Sequence, residues 1–292
     1  MRRRSTFAPA VSALLVLVVA AAAATAQEAA PAAADSLGWH NSLVGSFNFT
    51  QTEFSNWAEG GTNSASWLVS AAGSFRRYGG PTIWSNALKL EYGETEQEGQ
   101  DSRKSLDLIF GETIVDFNTS RLIKPYARAS LKTQFASGYD YNQDPQAKVS
   151  DFADPLLLTQ GAGVGFWLKP WLATRLGFGA QETFADEFAA KYTDDVETLD
   201  EMETSKFEGG LESVTTLERE FDKKLNVKSR LALFWAFNNS DQVDGDWMTD
   251  ITLKALGSLG VTLKFQLLYN KDVLDKIQLK QVLGVGLSYA FI

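Results

Sequence analysis

The chain ends on Gln278-Leu279-Lys280-Gln281-Val282-Leu283-Gly284-Val285-Gly286-Leu287-Ser288-Tyr289-Ala290-Phe291-Ile292. Positions 279, 281, 283, 285, 287, 289 and 291 hold Leu, Gln, Leu, Val, Leu, Tyr and Phe, and the positions between them are small or polar apart from Val282. A period of two is that of a strand whose faces meet different surroundings. Soluble sheets alternate too, but they rarely set an aromatic-tipped apolar face against glycines in a closing strand. In a membrane-spanning barrel the apolar face meets lipid and the small face meets a crowded interior. The stretch therefore predicts an all-β fold, a transmembrane antiparallel up-and-down β-barrel.

Working back along the chain, about twelve segments are long enough to cross a membrane as tilted strands. They lie near 40–53, 63–78, 83–95, 103–117, 122–139, 157–169, 171–185, 206–221, 225–239, 246–256, 259–270 and 277–292. Their connections alternate in length. Gly79 to Thr82, Asn118 to Arg121, Lys169-Pro170, Asp222 to Lys224 and Leu256 to Ser258 are tight, and the others are mostly longer and more polar. Short periplasmic turns and longer outer loops belong to an even-numbered barrel with both ends on the periplasmic side. Trp39, Trp84, Trp167 and Trp171 gather at predicted periplasmic ends, and Trp67, Tyr92, Tyr139, Trp235, Trp247 and Tyr269 at the outer rim. Such rings favour the headgroup layer, because each has an apolar body and a polar edge.

The other end of the chain predicts export. Arg2, Arg3 and Arg4 precede an apolar run from about Val11 to Ala23 and the exit Ala24-Thr25-Ala26, the form of a secretory signal peptide over 1–26. An uncleaved helix would need about 20 apolar residues, more than this run supplies. Residues 27–37 read as a flexible periplasmic leader and 38–292 as the barrel, located in the cell outer membrane after export by the secretory pathway. With no cysteine there is neither a lipid-attachment residue nor a disulfide framework.

Removing the three leader arginines from the 27 basic residues, against 36 acidic ones, leaves the remainder near −12. That balance offers no electrostatic footprint for nucleic acid. The expected partners are outer-membrane lipid and the barrel-assembly machinery.

Facing follows from cost. A basic side chain against mid-bilayer lipid costs about 2–4 kcal/mol, so in 225–239 the set Val227, Ser229, Leu231, Leu233, Trp235, Phe237 faces out while Asn226, Lys228 and Arg230 face in. In 127–135, Arg128, Ser130, Lys132 and Gln134 face in. The predicted lumen lining is Lys89, Glu91, Asp107, Arg128, Lys132, Arg175, Glu208, Glu212, Lys228 and Arg230, joined by Asp250, Lys254 and Lys264. Charges of both signs either close such a bore by pairing or leave a narrow, weakly selective channel.

Catalytic readings find little support. Barrel hydrolases need a histidine near the outer rim to activate a nucleophile, and the single histidine, His40, begins the first strand at the periplasmic side. No catalytic residue, metal site or cofactor is expected. Asp194, Asp195, Glu197, Asp200, Glu201 and Glu203 form an acidic outer loop whose spacing matches no calcium loop, and a solvated loop is the plainer reading.

Trp57-Ala58-Glu59-Gly60-Gly61-Thr62-Asn63-Ser64 resembles the Trp-x-x-Gly-Gly-x-Asn-Ser stretch of an uncharacterised outer-membrane family, a domain of unknown function typical of Bacteroidetes and related bacteria. Trp84-x-Asn86-x-Leu88, Tyr92-Gly93, Lys104-x-x-Asp107, Thr133-x-Phe135-x-x-Gly138-Tyr139 and Gln281 to Gly286 continue the resemblance in order. It implies an outer-membrane barrel and brings no substrate, cofactor or catalytic residue. Two departures stand out: residues 168–192 lack the Pro- and Gly-rich pattern of relatives, and Ile292 follows the terminal aromatic. Gly60-Gly61 permits a tight fold-back, so Trp57, Gly60, Gly61 and Asn63 form a candidate loop cap over the barrel mouth, with a rim turn as the simpler alternative. The leading functional expectation is a narrow channel or passive transporter for small solutes; the alternative is a non-conducting structural barrel or surface-binding anchor.

Overall fold

The structure, a computed structural model, describes residues 37–53, 62–143, 145–194, 202–221, 224–238, 243–256 and 259–291. The expected signal peptide and most of the expected leader lie outside the described residues, as do Trp57, Gly60, Gly61 and most of the acidic loop.

Strands β1 (Gly38–Thr52), β2 (Ser64–Tyr78), β3 (Thr82–Gln97), β4 (Arg103–Phe117) and β5 (Ile123–Thr133) run antiparallel in succession. Two short strands, β6 (Gly138–Asp140) and β7 (Ala147–Ser150), form a separate hairpin. The barrel resumes with β8 (Leu156–Lys169), β9 (Leu172–Phe184), β10 (Ser205–Phe221), β11 (Leu225–Ala236), β12 (Asp244–Leu256), β13 (Leu259–Asn270) and β14 (Leu274–Ala290). One helical turn, α1 (Ala189–Tyr192), sits between β9 and β10. Twelve strands close when β14 pairs β1 from Val44↔Ala290 to Asn48↔Gly286.

Closure satisfies the backbone without water, the condition for a sheet in lipid. The turns at one end are tight: the Gly79 amide donates to the Thr82 carbonyl at 2.9 Å, and Gly80 adopts φ +75°, which a side chain would disfavour. The opposite end carries the longer connections, including the β6–β7 hairpin and α1.

The barrel is apolar outside and polar inside, the reverse of a soluble one. On β14, Leu283, Val285, Leu287 and Tyr289 are 68, 55, 60 and 64% exposed, while Gly284 between them is buried. Phe178, Phe207, Trp235 and Phe237 extend the same outer surface, while Arg128, Arg175, Glu112 and Glu212 are buried within. In water such a surface would be a very large apolar patch; in lipid it is the required exterior. Near the tight-turn end, Trp39 and Trp84 pack 5.6 Å apart, and the Trp84 indole donates to the Thr113 hydroxyl at 2.8 Å. Near the other end, Trp67 and Tyr92 lie 5.6 Å apart.

Two expectations need correction. The strand placed at 122–139 stops at Thr133; beyond it, the Asp107 carboxylate accepts the backbone amides of Phe135 and Ala136 at 2.7 and 3.0 Å, replacing ladder bonds as the chain turns into the β6–β7 hairpin. Trp167 is not a headgroup-layer ring. It shares the parity of Gly165, whose neighbours are the Arg175 side chain and the Asp116 carboxylate. There Lys124 lies 4.5 Å and Arg175 5.8 Å from its ring centre.

Candidate functional site

The inward faces of β4, β5, β10 and β11 meet in one network across the middle of the bore. Arg128, on β5, donates through Nε to both oxygens of Glu212 on β10, at 3.0 and 3.1 Å, and its Nη2 pairs the same carboxylate. Its Nη1 reaches Glu112 on β4 at 3.4 Å. Glu112 also accepts Nε and Nη2 of Arg230 on β11, at 3.2 and 2.6 Å, and the Tyr126 hydroxyl donates to Glu212 at 2.6 Å. In barrel order β4 and β11 stand nearly opposite each other, so the Glu112–Arg230 pair spans the lumen.

Both glutamate side chains and that of Arg128 are 5% exposed or less. Charges so far from water are tolerable only with hydrogen bonds as complete as these. The close approach of Glu212 depends on Gly161 of β8, where an added Cβ would stand 2.0 Å from Glu212 Oε1.

Further pairs fill the bore on either side. Toward the tight-turn end, Asp116 accepts Arg175 Nε and Nη2 at 3.1 and 2.9 Å, and Glu218 holds Lys228 at 2.8 Å and Arg76 at 3.8 Å. Around the middle, Lys89 pairs Asp250 at 2.8 Å, and Lys264 pairs Glu91. Toward the loop end, Lys132 pairs Asp246, whose other oxygen accepts the Gln266 amide at 2.7 Å, and Lys206 joins Glu208 at 3.2 Å and Asp272 at 2.5 Å.

Between these layers lie two cavities. One of about 200 Å³ on the tight-turn side is bordered by Arg76, Glu218 and Lys228, and one of about 100 Å³ on the loop side by Lys132, Thr159 and Asp246. Phe110 and Arg230 border both. The Arg230 guanidinium stands 5.2 Å over the Phe110 ring, so these two side chains are the partition. Phe110, Leu108 and Met248 form a small apolar cluster beside it.

Lys89, Glu91, Arg128, Lys132, Arg175, Glu208, Glu212, Lys228 and Arg230 all face inward and all are ion-paired. Asp107 is placed differently. It lies on the parity opposite the buried Leu106 and Leu108, holds Lys104 at 2.9 Å, and sits where β5 leaves the sheet rather than in the bore. Asn63 is described, and its carbonyl accepts the Glu98 amide at 2.9 Å beside the start of β2. His40 packs edge-on against Tyr78 with ring centres 5.2 Å apart, at the tight-turn end.

Glu112, Asp116, Tyr126, Glu218 and Asp246 are interior partners that sequence reasoning missed. Tyr126 and Asp246 stand on the parities of Arg128 and Asp250, so alternation alone would have found them. Glu112 and Asp116 are harder, because β4 is apolar on both faces, with Ile109 and Val115 on one and Leu108, Phe110 and Ile114 on the other.

Residues 49–139, from within β1 to within β6, match the family described as "Protein of unknown function (DUF3078)". The match covers the Trp57 to Ser64 stretch and four strands of the barrel wall. No curated protein matches the chain. Solved structures similar to it include the translocator domain of the autotransporter NalP from Neisseria meningitidis, at 13% identity and TM-score 0.38, covering 97% of each chain. The TodX monoaromatic hydrocarbon channel, as its deltaS2 mutant, aligns at 8% identity and TM-score 0.32 over 80% of this chain and 75% of its own. Salmonella typhi OmpF in complex with daunomycin aligns at 9% identity and TM-score 0.27, over 87% and 97%.

Proposed function

We propose that the chain is an outer-membrane barrel that passes small solutes through a narrow lumen held shut by the network of Glu112, Arg128, Glu212 and Arg230. The observation that carries this reading is the pair of cavities whose common wall is Phe110 and Arg230. A barrel built only for strength gains little from charge at that level, since apolar residues of similar volume stabilise as well or better. Ion pairs, unlike interdigitated apolar packing, can exchange partners, and both cavities offer alternative ones: Glu218 and Asp250 on one side, Asp246 on the other. Cavities of about 200 and 100 Å³ are smaller than sites for drug-sized ligands, which run to roughly 300–1,000 Å³, so the solute is of a few heavy atoms. The exterior suits outer-membrane lipid, delivery there follows secretory export, and insertion falls to the barrel-assembly machinery.

The complete pairing of the predicted lining favours a second reading, a non-conducting structural barrel. Planar-bilayer recording separates the two. Under the conduit reading, wild type gives small, brief conductance steps, and a variant carrying Glu112→Ala and Arg230→Ala, which removes the charged half of the partition without stranding a charge, gives larger and longer ones. Inserted protein that conducts in neither form supports the structural barrel and sinks the conduit.

A further inference from the structure

Lys280 is an interior cation with no counter-ion among the described residues. It stands on β14 opposite Gln266 of β13, on the inward parity, and is half-buried. The carboxylates that attract it are engaged elsewhere: Glu91 by Lys264 and Lys89, and Asp246 by Lys132 and Gln266. Lys89 and Lys132 face it as well and repel it. Lys89, Lys132 and Lys264 are paired with Asp250, Asp246 and Glu91.

Lys280 borders a cavity of about 200 Å³ at the loop end, walled by the outer part of β4 and by the β6–β7 hairpin. Donors outnumber acceptors there. The Lys104 ammonium donates to Asp107 at 2.9 Å and to the Ala136 carbonyl at 2.7 Å, which leaves one N–H unspent. Asp107 already accepts three bonds, from Lys104 and from the amides of Phe135 and Ala136. The Tyr141 hydroxyl accepts the Lys104 backbone amide at 3.2 Å and keeps its own proton to give. Arg103 lies 4.9 Å over the Tyr141 ring, and its Nε is buried without a partner.

We propose that this cavity binds a small oxyanion, a phosphate or a carboxylate, held by Lys280 with Lys104 and Tyr141. An ammonium with three free donors, a second ammonium and a hydroxyl match the several acceptor oxygens of such an anion. The space equals several water volumes of ~30 Å³, enough for phosphate or a short carboxylate. Below the cavity, a space of about 20 Å³ is bordered by Lys280, Lys264 and Lys89, and its wall shares Lys89, Met248 and Asp250 with the larger chamber. Read with the conduit above, on which this part rests, the site gives the charge class of the solute at the loop end of the lumen.

The test is calorimetric titration of the refolded, full mature chain in detergent micelles with inorganic phosphate and, separately, acetate. Saturable phosphate binding is expected in wild type, at least tenfold weaker in Lys280→Gln, kept in Lys280→Arg, and unchanged in Lys254→Gln, whose partner Glu220 lies 3.5 Å away at the tight-turn end. Heat-modified gel mobility confirms that each variant is folded. Absence of saturable binding by wild type, or equal binding by folded Lys280→Gln, overturns the site. Planar-bilayer conductance of wild type and of the Glu112→Ala, Arg230→Ala variant distinguishes the two claims. Binding without conductance keeps the site and sinks the conduit; conductance with no phosphate binding does the opposite.

Discussion

Removing the carboxylate of Asp116 tests whether the interior charges support the barrel. Its side chain is 0% exposed, and it takes two charge-assisted bonds, at 3.1 and 2.9 Å, from an Arg175 that is itself only 4% exposed. In Asp116→Ala the guanidinium keeps the Thr216 hydroxyl at 3.4 Å and the face of Trp167. Neither carries charge, and Glu112 attracts it without a direct bond, so it becomes a buried ion with no hydrogen-bonded counter-ion, which costs about 3–5 kcal/mol. With a urea dependence of about 3 kcal/mol per molar, the upper end for small proteins, the unfolding midpoint in lipid vesicles falls by roughly 1–2 M. The double variant Asp116→Leu with Arg175→Met removes both charges and is expected to return close to wild type, since a buried pair replaced by apolar residues is often neutral or better. Urea titration followed by tryptophan fluorescence measures both. A single variant that unfolds within about 0.3 M of wild type, or a double variant as damaged as the single, would refute the reasoning.

Two further outcomes follow from the geometry. Gly161→Ala drives a methyl group against a Glu212 carboxylate already fixed by Arg128 and Tyr126, and loses about 1–3 kcal/mol by overpacking; Gly209→Ala, where an added Cβ meets nothing within 4 Å, changes little in the same urea titration. At the loop end, the Lys148 ammonium, the Phe152 amide and the Ser137 hydroxyl hold the Asp151 carboxyl down at about 2. A depressed acid stabilises its contacts above its ordinary range near 3.8 and loses them as pH falls toward 2. Carboxyl-carbon NMR of Asp151 therefore shows a midpoint near 2, moving up toward the ordinary range in Lys148→Ala, and an unmoved midpoint contradicts the contact.

Most of the wall was legible in the chain because lipid forces every strand to declare its faces. The expected strand at 103–117 coincides with β4, and those at 63–78 and 259–270 agree with β2 and β13 to within a residue. What escaped was set by three-dimensional neighbours. Phe135 and Tyr139 keep the alternation after β5 has left the sheet, since the break is made by Asp107, 28 residues away. On β4 both faces are apolar, so alternation there has no sign and does not separate Asp107, which faces away from the bore, from Glu112 and Asp116, which face into it. In sequence Trp167 does not differ from a rim tryptophan; the Lys124 and Arg175 groups against its ring mark it as interior. The central ion-pair network joins residues 84 and 118 positions apart, a pairing that only the closed order of the strands creates.

Because the chain has no cysteine, single cysteines placed from Leu279 to Ala290 and carrying a nitroxide report each side chain's surroundings in lipid vesicles. Collision with dissolved oxygen should rise at 283, 285 and 287 and fall at 282, 284 and 286, with a water-soluble nickel chelate excluded from the first set. Equal oxygen access on both parities, or chelate reaching Leu283→Cys and Val285→Cys freely, would mean that this strand does not stand between hydrocarbon and a closed interior.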